Sequence, residues 1–265
     1  MNYLAKHWLL LKEYSKIGFK FAIEYKAQFF SNLLGHLVLI GLWFFFWKLM
    51  FGNVSTMGQW TYPMMLLLIG FFQLGEAMWQ FGYMTLRVSD RIMDGDLDKY
   101  LSRPINPLFG ILAEDLDLIP ILPITTAIII ILTVIINYFS LDLIKLVIAL
   151  SLCAIGTLIV HLVTIALGLL GFWLGRTRTL MTIYRSLNIA KTYPGDILGA
   201  MMRGILTYGF PAMILTTNPV LTVTNWTIQQ SLLYLTLAIG LWVFWIIIVM
   251  LLWKYGIKKY ESSGG

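Results

Sequence analysis

The sequence alternates between long apolar runs that carry no charge and short segments in which charged residues gather. The uncharged runs cover residues 27–47, 49–75, 118–141, 146–175 and 204–253. A helix needs about 20 apolar residues to cross the hydrocarbon core of a membrane, so each run is long enough for one crossing and the last for two. The runs are continuously apolar rather than alternating, which predicts helices and not a membrane barrel.

This pattern predicts an all-α integral membrane protein with six transmembrane helices. Their expected bounds are 31–51, 62–84, 116–137, 143–174, 197–217 and 231–253. The last uncharged run divides at Asn218-Pro219 and the polar stretch up to Gln230, where we expect a short re-entrant hairpin at the outer face. Pro211 is expected to kink the fifth span at a place where neighbouring helices satisfy the freed carbonyl.

The first 30 residues are predicted to form an amphipathic connecting helix that lies on the inner membrane surface. On a helical wheel the lysines and glutamates share one arc, and aromatic and aliphatic residues fill the opposite side. A short charged tail follows the last span. The chain therefore divides into the connecting helix (1–30), a six-span domain (31–253) and a cytoplasmic tail (254–265).

Composition supports the membrane assignment, and charge orients the chain. Hydrophobic residues make up 59% and charged residues 12%, against roughly 45–50% and about 25% in soluble chains. With the N-terminus inside, all but three of the 19 Lys and Arg fall in inside segments, the exceptions being Lys48, Lys145 and Arg203. The positive-inside rule then places both termini in the cytoplasm. It also explains the net charge of +6 without a nucleic-acid partner.

The sequence lacks the motifs by which such a chain would carry out its own catalysis. It has no Walker-type phosphate loop, no nucleophile elbow and no zincin motif. Its single cysteine, Cys153, excludes a cysteine-based zinc site. We therefore predict no catalytic residue, no metal site and no cofactor held by this chain.

The densest charged segment lies between the second and third spans, over residues 87–108. Its apolar residues are spaced as in a short amphipathic helix that ends at Arg103-Pro104: Val88, Ile92, Met93, Leu97 and Leu101. Three interpretations are open: a solvated loop, half of a calcium loop built on alternate carboxylates, and a docking element for a soluble partner. The calcium interpretation lacks the bidentate glutamate that such a loop needs after its central glycine.

Two charged side chains fall inside predicted spans. Glu76, with Gln73 beside it, is in the second span, and Arg203 is in the fifth. Charges buried in a bilayer usually face the interior of a bundle and pair with each other. Because both lie toward the cytoplasmic side of the predicted topology, we expect a Glu76–Arg203 ion pair, which would either position the helices or line a transport pathway.

Together these features resemble the permeases of type-2 ABC exporters, in a subgroup found in bacteria and archaea. Three regions carry the resemblance, in the same order along the chain: Asp94-Gly-Asp-Leu-Asp98 followed by Leu101-Ser-Arg-Pro-Ile-Asn-Pro107, then Tyr193-Pro194 through Arg203-Gly-Ile-Leu-Thr207 to Phe210-Pro211, and the tail Tyr255-Gly-Ile-Lys-Lys-Tyr-Glu-Ser-Ser-Gly264. Tyr208 and Gly209 depart from the aromatic and aliphatic residues that the family often has there.

The resemblance implies a permease subunit that moves an amphipathic, lipid-like, drug or peptide substrate out of the cytoplasm or inner leaflet. It implies two soluble ABC ATPase subunits, which bind ATP and Mg, and a second permease subunit, identical or related, in a prokaryotic plasma membrane. The segment after the second span would be the coupling helix that fits a groove on the ATPase, formed here by Asp90, Arg91, Asp94, Gly95, Asp96, Leu97, Asp98, Arg103 and Pro104. Spans two and five would line the pathway, with Gln73, Glu76 and Arg203 as candidate lining groups.

Two other functions fit a six-span chain without a nucleotide site. One is the substrate-binding subunit of an importer, which captures a small vitamin and has no coupling helix. The other is a channel or scramblase that needs no ATP. Removing the charges of residues 90–98 distinguishes these functions, because only an exporter subunit should then lose its ATPase partner.

Overall fold

The structure, a computed structural model, describes residues 26–80, 87–102, 106–113 and 121–260. Within these ranges the chain is helical apart from short connections and contains no strand, and the isolated bridge between Met57 and Trp60 is the sheet-like pairing found there. The predicted all-α class is confirmed. The predicted connecting helix lies outside the described residues except for 26–30, and so do Arg103, Pro104 and the end of the tail.

The helices follow one another along the chain with short gaps. In order they are α1 (Lys26–Met50), α2 (Tyr62–Gln80), α3 (Val88–Met93), α4 (Asp98–Leu101), α5 (Pro107–Ala113), α6 (Ile121–Tyr138), α7 (Leu143–Leu169), α8 (Gly171–Leu174), α9 (Arg178–Asn188), α10 (Ala200–Gly204), α11 (Ala212–Leu215), α12 (Thr217–Thr224) and α13 (Ile228–Gly256). Between α9 and α10 lie the 3-10 turns Ile189–Thr192 and Gly195–Ile197, α10 continues as the π-helix Ile205–Gly209, and the 3-10 turn Ile257–Lys259 follows α13.

The long helices α1, α2, α6, α7 and α13 lie where the first four spans and the sixth were predicted. Three segments of the described chain are long and apolar enough to cross a membrane: Leu33–Met50, Leu143–Leu174 and Ile228–Lys259. Pro123–Tyr138 is a shorter apolar helix. Length and apolarity are local properties of the sequence, which is why these helices could be predicted from it.

The predicted fifth span, residues 197–217, is not one continuous helix. Phe210 is extended (φ −121°, ψ 93°), as the residue before a proline prefers, because the proline ring clashes with a helical neighbour. Pro211 also lacks the N–H that would continue the helix. A second break falls at Thr216. Pro211 therefore divides this stretch into short helices, whereas the sequence predicted only a kink.

The connections gather at two ends of the helix bundle, which α13 spans from one to the other. At the first, the Gln59 end, Asn225 Nδ2 donates a hydrogen bond to Oε1 of Gln59 (3.3 Å), which joins the turn before α13 to the loop between α1 and α2. At the second, the Tyr260 end, the ring of Phe172 packs on Trp253 and Tyr260. Helices α3 and α4 lie at this second end.

Helix α7 is the centre of the bundle. Half of its apolar span is buried, against 11% of the spans in α1 and α13. It packs on α2, α11, α12 and α13. Helix α1 instead exposes large apolar side chains such as Phe30, Leu34 and Leu37, as expected of a helix that faces lipid.

Glycines allow the short helices in place of the predicted fifth span to pack inside the bundle. A Cβ atom on Gly156 of α7 would lie 2.9 Å from the backbone N and Cα of Leu215. A Cβ on Gly75 of α2 would overlap the Leu215 side chain. Small residues at helix interfaces allow backbones to approach closely, so Leu215 of α11 is held between α2 and α7.

Candidate functional site

The segment predicted to dock a partner, residues 87–102, consists of α3 and α4 joined by a tight turn; we call it the α3–α4 segment. Gly95 lies in this turn with φ of 79°, a left-handed conformation that favours glycine because it has no Cβ. The sequence predicted a single amphipathic helix here. The structure has two short helices instead, because the left-handed backbone conformation of Gly95 lies between them and interrupts the helix.

The α3–α4 segment has a buried side and an exposed side. Its buried apolar residues are Val88, Ile92, Leu97 and Tyr100, each 5% exposed or less. Met93 and Leu101, which the single-helix prediction put on the same apolar face, are instead 47% and 46% exposed. Two large apolar side chains therefore point away from the bundle at the Tyr260 end.

Two glycines hold α3 against the end of α7 and against α8. A Cβ on Gly168 would lie 2.7 Å from Cβ of Val88, and a Cβ on Gly171 would lie 3.0 Å from Cβ of Ser89. A side chain at Gly168 could fit only if α3 moved away, while one at Gly171 would need a shift of a few tenths of an ångström. The glycines thus seat the α3–α4 segment directly on the end of α7.

The turn after α13 covers the same segment from another side. The ring of Tyr260 packs on Phe172, with centroids 6.3 Å apart. A Cβ on Gly256 would overlap the Phe172 ring, so this glycine lets α8 approach α13. Burial, together with the neighbouring Asp98 carboxylate, raises the pKa of Tyr260 to about 12. Its hydroxyl therefore stays protonated beside Asp98 at neutral pH.

Ion pairs link the α3–α4 segment to the start of α9. Arg178 Nε donates to Oδ1 of Asp90 (3.1 Å), and the guanidinium of Arg176 donates to Oδ1 of Asp94 (2.7 Å). These pairs are largely exposed to solvent, where each stabilises a fold by about 0–1 kcal/mol. Their effect is to fix the orientation of the segment rather than to hold the fold together.

The remaining carboxylates of the segment face different partners. Asp96 contacts Arg91 (2.8 Å) and Lys99 (4.0 Å) within the segment, while Asp98 lies beside Tyr260. The alternate carboxylates that suggested half of a calcium loop therefore do not converge on one point. Across the ranges that the structure describes, no group of three metal-ligand side chains comes together.

Glu76 forms its ion pair with Lys191, not with Arg203 as the sequence suggested. Lys191 Nζ donates to Oε1 of Glu76 at 2.5 Å, and the Lys191 side chain is only 5% exposed. The turn Ile189–Thr192 folds back against α2 and α11, which brings Lys191 to Glu76. Sequence reasoning counted Lys191 among the charges of an inside loop, since a lysine just before Tyr193-Pro194 carries no sign of burial.

The surroundings of Glu76 are closely packed. Gln73, one turn earlier on α2, is 7% exposed. Trp79 stacks on His161 of α7, with ring centroids 6.4 Å apart and planes at 10°. The sequence located Gln73 and Glu76 but missed their neighbours, because the contact between α2 and α7 is not visible in either helix alone.

Arg203 lies in a different place, on the wall of a cavity of about 270 Å³. The cavity is enclosed by α10, the π-helix, α11, α12 and the beginning of α13. Its polar and aromatic lining residues are Arg203, Thr207, Tyr208, Asn218, Trp226 and Tyr234. The structure thus separates the three intramembrane residues that the sequence singled out: Gln73 and Glu76 lie together, and Arg203 lines the cavity.

Comparison with known protein families decides the assignment. The sequence model of a family described as ABC-2 family transporter protein matches residues 37–264. The chain belongs to the ABC-2 family. No curated protein and no solved structure matches it. The expected family is confirmed, and with it a membrane protein that serves as the permease component of an ABC transporter.

Family membership limits what the geometry of the ABC-2 chain can do. Membrane components of this family are transport permeases rather than enzymes, and the family implies association with an ABC ATPase. Among the described residues, the exposed side of the α3–α4 segment and the Arg203 cavity are two places where another molecule can bind. The first offers apolar contacts to a protein, and the second offers a cation and aromatic rings to a small molecule.

Proposed function

We propose that this chain is the permease subunit of an ATP-driven exporter, which moves an amphipathic substrate out of the cytoplasm or inner leaflet. The observation that carries the proposal is the α3–α4 segment. It exposes Met93 and Leu101 while it is seated on the central helix of the bundle. Such an element can receive a push from a soluble partner and pass it to the helices.

The proposed topology has six spans, with both termini and the Tyr260 end in the cytoplasm of a prokaryotic cell. Basic residues at the Tyr260 end support this orientation under the positive-inside rule; they are Arg87, Arg91, Lys99, Arg176, Arg178, Lys258 and Lys259. The Gln59 end then faces outward. Two soluble ATPase subunits bind ATP and Mg at the inner face, and a second permease subunit, identical or related, completes the pathway.

The coupling helix of the proposed exporter is the α3–α4 segment, and we assign a separate role to each of its residues. Asp90 and Asp94 orient the segment through their arginine partners. Gly95 makes its turn and Leu97 anchors it in the core. Arg91, Asp96 and Asp98 complete its charge network, and Arg103 and Pro104 follow it. Met93 and Leu101 are the contacts that we assign to the ATPase groove.

Force from the ATPases would reach the pathway through rigid contacts. Gly168 and Gly171 join the α3–α4 segment to α7 and α8, and Phe172 with Tyr260 joins it to α13. When ATP draws the two ATPases together, we propose that these helices tilt as one body and open the interface between the permease subunits. Spans two and five line that interface, with Glu76 and Arg203 as candidate lining groups, whereas Gln73, the third group expected from the sequence, is buried within the subunit.

A double substitution tests the docking role of the exposed residues. Met93→Asp with Leu101→Asp puts charge on the proposed contact, and both side chains are already exposed, so folding is unaffected. A hot-spot residue at the centre of an interface costs about 2 kcal/mol or more when it is truncated, so recovery of the ABC ATPase partner should fall by about tenfold or more in a pull-down. Val54→Asp, an exposed residue at the Gln59 end, is the matched control.

Reconstitution then separates the exporter from the other two functions. In proteoliposomes that contain the chain and its ATPase, we expect export of an amphipathic dye only with ATP and Mg. Movement at the full rate without ATP would indicate a channel or scramblase. Undiminished ATPase recovery by the double variant would contradict docking at the α3–α4 segment and would favour a binding subunit that has no coupling helix.

A further inference from the structure

The Arg203 cavity has a closed floor and lies in the half of the bundle toward the Gln59 end. The residues of its floor are each 5% exposed or less; they are Met213, Thr217, Asn218 and Leu221. Met213 comes two residues before Leu215, which contacts Gly156 at the middle of α7. Trp226, on the cavity wall, lies in the turn before α13. The cavity therefore extends from near the Gln59 end to the middle of the bundle.

The polar groups of the lining are already engaged within the protein. Thr207 Oγ1 donates a hydrogen bond to the backbone oxygen of Arg203 (2.7 Å), and Thr217 Oγ1 accepts one from the backbone N–H of Gly195 (3.2 Å). Arg203 lies at the exposed mouth and also interacts within the protein. The amide nitrogen of Asn218 is buried and does not face the space. Because an ordered water needs several polar partners, this cavity is a poor site for water.

The surface that remains for a ligand is apolar and aromatic. Trp226 and Tyr234 stack with ring centroids 4.2 Å apart and planes at 15°, which makes one wall flat. Met213 and Leu221 form the apolar floor, and Gly204 has free space where its Cβ would be. The volume of about 270 Å³ exceeds the roughly 150 Å³ of an apolar cavity that stays dry and binds benzene. Such a space holds a length of hydrocarbon chain but not a whole lipid.

The mouth of the cavity is formed by α10 and the π-helix Ile205–Gly209, and its exposed side chains are largely apolar. Met201 is 82% exposed, and Ile205 and Tyr208 are exposed as well. The π-helical turn widens this wall, and such turns are rare and frequently found at functional sites. Since the core of a bilayer contains no water, a hydrocarbon chain can reach the floor without leaving apolar surroundings.

We propose that the cavity binds the acyl chain of an amphiphile, inserted with its methyl end first. The chain packs between the Trp226–Tyr234 pair and Leu221, and its last carbons contact Met213. The headgroup stays outside the mouth, beside Tyr208, because the floor would desolvate a polar group without pairing it. Filling the cavity also removes the cost of an empty apolar space. Only the statement that this amphiphile is the cargo rests on the proposed export function; the site does not.

Photolabelling of the full chain in phosphatidylcholine nanodiscs, with no ATPase present, tests the proposal. The first probe is phosphatidylcholine with a diazirine on the terminal carbon of one acyl chain, and the second carries the diazirine beside the ester. After irradiation, mass spectrometry locates the labelled residues. We expect the first probe to label the floor at Met213 or Leu221, and the second to label the mouth at Tyr208 instead.

A free fatty acid with a terminal diazirine identifies the source of the chain. Floor labelling by phosphatidylcholine indicates a lipid of the bilayer, and floor labelling by the fatty acid alone indicates a single-chain amphiphile. Either result supports an acyl-chain site. Labelling of the floor by neither probe overturns it.

Substitutions in the wall make the test specific. Gly204→Leu should reduce labelling of the floor by about tenfold or more, because a branched side chain occupies the space that the acyl chain would fill. Gly209→Leu is the matched control, since Gly209 also has free space at its Cβ but does not line the cavity. It should be labelled as strongly as the unmodified chain.

Two further results would overturn the proposal: floor labelling by the second probe as strong as by the first, or unchanged floor labelling in Gly204→Leu. If Gly204→Leu does not elute as a folded protein in size-exclusion chromatography, Ala200→Phe at the exposed mouth takes its place. Because no ATPase takes part, a failure here leaves the ATP-driven export function standing. A failure of ATP-driven export in proteoliposomes likewise leaves the acyl-chain site standing.

Discussion

The ion pair between Glu76 and Lys191 is the contact at which we expect a single substitution to change the stability of the protein most. Lys191 is almost wholly buried, while Glu76 keeps 31% of its side chain exposed. Removing one partner of a buried pair leaves an uncompensated charge, which costs more than the intact pair contributes. The two positions should therefore respond very differently to single and to paired substitution.

We expect Glu76→Gln, which strands the buried lysine, to lower the free energy of unfolding by about 3–5 kcal/mol. The double variant Glu76→Gln with Lys191→Met should recover most of that loss, because no charge remains in the apolar surroundings. Thermal unfolding of the purified chain, followed by circular dichroism, measures both. Lys48→Met is the control, since Lys48 is exposed at the end of α1.

Exchanging charges identifies the partner directly. Glu76→Lys combined with Lys191→Glu should restore the expression that either single variant loses. Glu76→Arg combined with Arg203→Glu should not, because Arg203 lies at the cavity wall. The opposite pattern would show that the pair expected from the sequence is the one that forms.

Some buried or exposed side chains could be recognised from the sequence, and others could not. Intramembrane charges were visible at Glu76 and Arg203 because each stands alone in an apolar run. Lys191 was not, since it belongs to a polar stretch whose burial depends on the chain folding back onto α2. For the same reason, the exposure of Met93 and Leu101 depends on a turn at Gly95 that a helical wheel does not contain.

At the scale of elements, the interface of α11 with α7 depends on the absence of a single methyl group. We expect Gly156→Ala to destabilise the fold by about 1–3 kcal/mol, the usual cost of overpacking, because its Cβ would meet the backbone of Leu215 rather than a movable side chain. Gly41→Ala in α1 is the control, since a Cβ there meets nothing within 4 Å. Equal unfolding temperatures of the two variants would contradict this close contact.

The close packing of α3 on α7 at Gly168 leads to a second prediction at this scale. Gly168→Ala should displace α3 through Val88 while Met93 and Leu101 stay exposed. We expect the variant to retain its ATPase in a pull-down and to lose most of its ATP-driven export in proteoliposomes. Gly240→Ala in α13 has free space at its Cβ and should behave as the unmodified chain. Normal export by Gly168→Ala would mean that the contact between α3 and α7 does not transmit force.

Elements were predictable to the extent that their cause is local. Continuous apolarity gave the positions of α1, α2, α6, α7 and α13 within a few residues. The fifth span failed because its shape is decided by Pro211 together with the packing of Leu215 between two other helices. The cavity beside it follows from that break, so Arg203 could be noticed in the sequence but not placed in its surroundings.

At the scale of the whole molecule, the proposed mechanism requires the α3–α4 segment and α7 to move as one body. Ser89→Cys with Gly171→Cys places two thiols close enough for a disulfide after a small adjustment, because the Cβ atoms would be 3.0 Å apart against the usual ~3.5–4.5 Å. The one native cysteine, Cys153, is buried and should not interfere. We expect the oxidised variant to export at the same rate as its reduced form.

Reduced and oxidised samples of this one variant control for the substitutions themselves. Loss of export on oxidation, with recovery after reduction, would show that the segment must slide across α7 and would refute the rigid transmission proposed here.

The family and the fold class could be predicted from the sequence because they depend on the order of motifs and on the length of the apolar runs. The transmission of force from the α3–α4 segment to the bundle could not be predicted, since it depends on three glycine contacts that bring together distant parts of the chain.

The contact between Glu76 and Lys191 also constrains how the protein is made. The two residues are separated by 115 positions, so α2 is synthesised well before Lys191 leaves the ribosome. A lone lysine is costly in hydrocarbon, and ionisable residues there usually pair with one another. We therefore expect α1, α2, α6 and α7 to insert one after another, and the stretch around Lys191 to enter by docking onto these helices once they are assembled.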